Sequence, residues 1–87
     1  MNDVREEIER LVRRLEQQRD ELRLKMHLAK ADGRDEWNRL ERQWEEVRPR
    51  VAQAGAVLGD TTREVGSALK LALEEIGRGY DRLRKLF

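Results

Sequence analysis

Leu22-Arg23-Leu24-Lys25-Met26-His27-Leu28 alternates apolar and polar residues, which is the pattern of a half-buried strand. Read as strand, it would make the fold mixed; read as helix, it makes the fold all-α. No Gly, Pro or Asn precedes it to open a strand, and every residue type in it except His favours helix well enough. Its flanks decide for helix. On one side stand Val4, Ile8, Leu11 and Leu15; on the other stand Trp37, Leu40, Trp44, Val47, Val51, Ala54 and Leu58. Their steps alternate four and three, with Gln18 and Gly33 filling two slots, as in the narrow seam of a coiled coil. Leu22, Met26 and Ala29 carry that seam through the alternating stretch. We therefore expect a helix that is apolar nearly all round and covered by more than one neighbour. Consecutive steps of four at 18–22–26 and 29–33–37 are stutters that relax a left-handed supercoil.

Three places could interrupt this helix. Asp32-Gly33 is a turn dipeptide, but the seam passes through Gly33 in phase, and a glycine inside a helix costs only about 1 kcal/mol. A continuous helix is expected there. Pro49 removes a helical hydrogen bond and clashes with the preceding turn, at about 3 kcal/mol. Val47, Val51, Ala54 and Leu58 keep their register across it, so a kink or a new first turn is expected. The reversal is better placed at residues 55–60, where Gly59 suits a left-handed cap and Thr61-x-x-Glu64 matches a capping box. A tight turn at 48–50 is the runner-up. The expected fold is all-α: a long helix over about 3–54, kinked or broken near Pro49, a turn at about 55–60, and a helix over about 61–87. Residues 1–87 form a single domain.

The second helix of this hairpin is apolar at Val65, Leu69, Leu73, Ile76, Tyr80, Leu83 and Phe87. It is much shorter than the first helix, so the seam from Val4 to Leu22 is left without an intrachain partner. An uncovered stripe of that length is an association surface. Small chains often need oligomerisation, disulfides or a metal to become robust, and this one has no cysteine. We expect a homo-oligomer, a dimer first, closing into an antiparallel four-helix bundle. Charged residues make up 43% of the chain, yet the net charge is +1, so the charges decorate helices rather than enforce disorder. Glu6/Arg10, Glu9/Arg13, Glu21/Lys25, Asp35/Arg39 and Glu46/Arg50 are spaced to pair along helix faces. The charged opening MNDVREEIER is unlike a signal peptide, and no apolar run reaches the ~18 residues of a membrane span. A cytoplasmic location is expected.

Chemistry-bearing residues are few. His27 is the only histidine; a di-iron bundle would carry Glu-x-x-His, and Leu24 stands where the Glu would be. No metal and no cofactor is expected. The carboxylates lie on polar helix faces, with nothing to form the pocket that general acid–base work requires. Ser67 has no histidine at a workable spacing, and Gly77-Arg78-Gly79 is too short for a phosphate loop. No catalytic residue and no small-molecule substrate is expected. Trp37 and Trp44, seven apart, read as core knobs, with Gly77 and Gly79 leaving room for an indole. The expected core and interface set is Ile8, Leu11, Leu15, Leu22, Met26, Trp37, Leu40, Trp44, Leu69, Ile76, Tyr80 and Leu83.

Charge polarity appears only at the end of the chain, where Arg78, Arg82, Arg84 and Lys85 outnumber Asp81. Cations there complement a helix dipole; the same basic and apolar mixture suits an anionic membrane surface, and less well nucleic acid phosphates. We expect residues 77–87 to continue the helix, with Tyr80, Leu83 and Phe87 packed against Leu22–Ala31.

Leu24-Lys25-Met26-His27-Leu28-Ala29-Lys30-Ala31-Asp32, Asp35-Glu36-Trp37 and the segment 77–85 resemble small bacterial coiled-coil proteins, some described as stress-associated or apolipoprotein-like. The resemblance covers most of residues 20–87 and rests on helix composition. Pro49 departs from the uninterrupted helix that the resemblance implies. It brings no catalytic residues. The expected function is non-enzymatic helical oligomerisation or scaffolding, and the alternative is a peripheral membrane protein using its basic amphipathic C-terminal helix.

Overall fold

The computed structural model describes residues 4–56 and 63–86 of the chain. Among them the fold is all-helical. Helix α1 spans Val4–Lys25, a short 3₁₀ turn spans Met26–Leu28, α2 spans Ala31–Ala56 and α3 spans Arg63–Arg84. Glu36 and Arg82 meet across α2 and α3 at 3.3 Å, Trp37 stacks on Tyr80, and Gly33 lies against Leu83 and Leu86. These helices are therefore antiparallel. Glu7 meets Lys70 and Leu15 meets Gly77, so α3 runs parallel to α1. The result is an up-down-up bundle of 44 × 21 × 17 Å, with α3 seated against both other helices.

The first reversal comes at residues 26–30, inside what periodicity reads as one helix over 3–54. Lys25 still has helical angles, whereas Ala29 is extended at φ −79°, ψ 145°, and its N–H donates to the Met26 carbonyl. Helix resumes at once, the Arg34 N–H donating to the Lys30 carbonyl at 3.0 Å. No glycine or proline makes this turn. Gly33 sits instead in the first turn of α2, beside Asp32, whose carboxylate suits a helix N-terminus. The stretch around Leu22–Leu28 is not covered on several sides: Leu22 and Met26 are buried, but Leu24 and Leu28 are 72% and 76% exposed.

Pro49 does not break the chain either. It lies on the exposed side of α2, which continues to Ala56, and this removes the reversal at 48–50. The turn expected at 55–60 extends beyond Ala56, and with its Gly59 and Thr61 signals it lies outside the described residues, as does Phe87.

The early turn changes what covers the seam. Ile8, Leu15 and Leu22, expected to be uncovered, are 5%, 1% and 2% exposed within one chain, because α3 lies along α1. Burial of this apolar stripe supplies most of the driving force, at roughly 1.5–3 kcal/mol per large side chain.

Candidate functional site

The core is continuous from Ile8 at one end to Met26 and Leu83 at the other. Ile8, Leu15, Leu22, Met26, Leu40, Trp44, Leu69, Ile76, Tyr80 and Leu83 are buried, together with Val47 and Leu73, while Leu11 and Trp37 pack half-buried against them. The space at the two glycines is used differently from the sequence expectation. A Cβ at Gly79 would overlap the Leu40 side chain, and one at Gly77 would stand 3.3 Å from Leu15. Leucines, not indoles, fill these notches. The indole of Trp37 instead stacks on Tyr80, with ring centroids 6.3 Å apart and planes 29° apart.

One polar cluster crosses the bundle near its middle. Arg19 on α1 grips Glu41 on α2 with two parallel bonds, Nε to Oε1 at 2.6 Å and Nη2 to Oε2 at 2.7 Å. This forked geometry matches a guanidinium to a carboxylate, and the Glu41 bond raises the Arg19 pKa further. Tyr80 lies within electrostatic reach of both, and its own pKa is pushed up to about 12, first by burial and then by Glu41. Its hydroxyl has no hydrogen-bond partner among the described residues. Tyr80 is wholly inaccessible, while the Arg19 and Glu41 side chains are each 19% exposed.

The helix-face pairs are partly rearranged. Arg39 bonds Glu36 at 2.7 Å, not Asp35 four residues before it, and Glu36 also reaches Arg82 on α3. His27 is exposed. Among the described residues no group of three or more His, Cys, Asp or Glu side chains could hold a metal ion, and no helix is long and apolar enough to cross a membrane.

What remains conspicuous is apolar surface in two places. On the outer side of α3, Leu71 is 63% and Val65 49% exposed, with Ala68 exposed and Ala72 half-buried beside them. At the end of the bundle that carries the 26–30 turn, Leu24, Leu28 and Leu86 are all more than 60% exposed. Leu28 and Leu86 line a hollow of about 320 Å³ with Ala29, Lys30, Asp32 and Gly33. Sequence reading assigned Leu24 and Leu28 to a covered helix. It could not bring Leu28 to Leu86, because that meeting depends on a turn with no breaker residue. No family model matches the chain, and no curated protein or solved structure matches it.

Proposed function

We propose that the chain is a non-enzymatic association module of the scaffolding kind, which pairs with a second copy of itself through the outer face of α3. The observation that carries this is the stripe of Val65, Ala68, Leu71 and Ala72. At spacings of three and four these residues share one side of the helix, and Leu71 and Val65 on it are 63% and 49% exposed. Two alanines flanking a leucine let a second helix come close while Leu71 acts as the knob. Copies of one chain offer the same patch to each other, which is the self-complementary arrangement of a two-fold dimer. The Lys70–Glu7 pair joins α3 to α1, and the Arg19–Glu41 pair joins α1 to α2.

The stripe is short, which places the dimer among weak, concentration-dependent interfaces. Light scattering across the micromolar range tests it. The expected result is a mass rising toward twice the 10.3 kDa chain, and a Leu71→Glu variant that stays monomeric with an unchanged melt. A wild-type chain that remains monomeric throughout would defeat the reading.

A further inference from the structure

The bundle end that carries the 26–30 turn is built from three separate pieces of sequence: the close of α1, the start of α2 and the close of α3. Residues 23–36 and 81–86 bring Arg23, Lys25, Lys30, Arg34, Arg82, Arg84 and Lys85 together against Asp32, Asp35, Asp81 and Glu36, the last of which pairs with Arg82. This is a formal charge of +3, whereas the whole chain carries +1. Every one of these cations is exposed. Dipole complementarity accounts for Arg23, Lys25, Arg82 and Arg84, which lie in the last turns of α1 and α3. It does not account for Lys30 and Arg34, which flank the N-terminus of α2, where a cation is disfavoured. Amid these charges stand Leu24, Leu28 and Leu86, 72%, 76% and 62% exposed. Core packing does not explain them.

We propose that this end is a docking surface for an anionic lipid bilayer, entered by the three leucines and held by the surrounding lysines and arginines. It goes beyond the self-association reading, because it uses a different face and a different partner. Leucines this exposed are projecting knobs that a soft acyl boundary can receive, and the cations around them sit at headgroup level. Charge also separates the possible occupants. Two copies meeting end to end would oppose +3 with +3, so a second chain is disfavoured, whereas an anionic leaflet attracts each nearby cation. The surface differs from the terminal amphipathic helix that sequence alone suggests for membrane contact. Tyr80 and Leu83 are wholly buried, and the first turn supplies Leu28, with Leu24 standing just before it at the close of α1.

Co-sedimentation with vesicles decides the matter, comparing phosphatidylcholine alone with phosphatidylcholine containing phosphatidylserine. The wild-type chain is expected to bind only the anionic vesicles, and to be released by salt as screening shortens the reach of the charges. Leu28→Ser with Leu86→Ser is expected to weaken binding by at least about tenfold. Each of Lys25→Gln, Lys30→Gln and Lys85→Gln is expected to weaken it by about fivefold. All of these positions are exposed, so the thermal melt serves as the folding control. Leu71→Ser, on the side of the bundle, is expected to bind as wild type does. Absence of binding to anionic vesicles overturns the proposal, as does equal binding to both vesicle types or unchanged binding by the leucine variant. A fall in solution mass caused by Leu28→Ser with Leu86→Ser would assign this end to a second copy. Stabilisation by an acidic amphipathic peptide without any vesicle binding would assign it to a protein partner. Either outcome also overturns the proposal.

Discussion

Tyr80 of α3 stacks on Trp37 of α2 and lies within electrostatic reach of Arg19 on α1, with a hydroxyl that no group among the described residues satisfies. Its aromatic face meets Trp37 and its body is fully buried, so the packing gain outweighs an orphaned O–H, which costs about 1–3 kcal/mol. Tyr80→Phe keeps the ring and removes the orphan. It should raise stability by about 1 kcal/mol in denaturant melts; a loss of similar size would mean that the hydroxyl is bonded. The same residue governs alkaline behaviour. Its folded pKa of about 12 lies above the ordinary tyrosine value near 10. Its contribution is therefore fully present below pH about 10 and is lost as pH rises through about 12, because only the unfolded chain ionises in that window. The loss amounts to roughly 2–3 kcal/mol. Tyr80 is the chain's one tyrosine, so tyrosinate absorbance reads it without interference. A midpoint near pH 10 in the folded protein would show that the ring is solvated.

Gly79, Gly77 and Pro49 test how far helix propensity decides matters in the elements. Alanine at either glycine gains about 1 kcal/mol of propensity. At Gly79 the new Cβ overlaps Leu40, itself buried, and overpacking of that kind costs about 1–3 kcal/mol. Gly79→Ala should therefore be destabilising by about 1 kcal/mol, while Gly77→Ala, facing Leu15 at 3.3 Å, should stay within about 0.5 kcal/mol of wild type. Equal effects at both positions would contradict the close approach at Leu40. Pro49 stands inside α2 with its ring exposed, deprived of an N–H. Pro49→Ala restores about 3 kcal/mol of helix stability and gives back up to about 1 kcal/mol of unfolded-chain entropy, so urea melts should show a net gain of about 2 kcal/mol. Periodicity located the seam residues and the all-α class, because an apolar stripe is a local property of the chain. It weighed Pro49 and Asp32-Gly33 as breakers because those residues have known local costs, yet the chain turns at Met26–Ala29, where no residue is a breaker. That turn is imposed by tertiary packing: only by reversing there can Leu40, Trp44 and Val47 reach the helix that also covers Leu15 and Leu22. The one local trace was the phase slip at 18–22–26 and 29–33–37.

In the whole molecule, α3 is the element on which the other two depend. α1 and α2 touch through the Arg19–Glu41 pair, but their apolar faces are buried chiefly against Leu69, Leu73, Ile76, Tyr80 and Leu83 of α3. A chain of this size has a total stability of roughly 4–13 kcal/mol. Those five side chains, at roughly 1.5–3 kcal/mol each, account for that whole range before the facing residues they cover are considered. The Arg19–Glu41 pair cannot compensate, since part-exposed ion pairs contribute about 1 kcal/mol or less. The fragment 1–56 should therefore be largely unfolded when dilute, although it contains the turn and the whole of α1 and α2. Both tryptophans, Trp37 and Trp44, lie within it, so their emission should shift to that of solvated indole while helical circular dichroism collapses. Adding the separate peptide 63–87 should restore both signals together as α3 docks between its neighbours. A fragment 1–56 that melts cooperatively as a monomer, with buried tryptophan emission, would show that the first two helices form the stable unit and that α3 only decorates it.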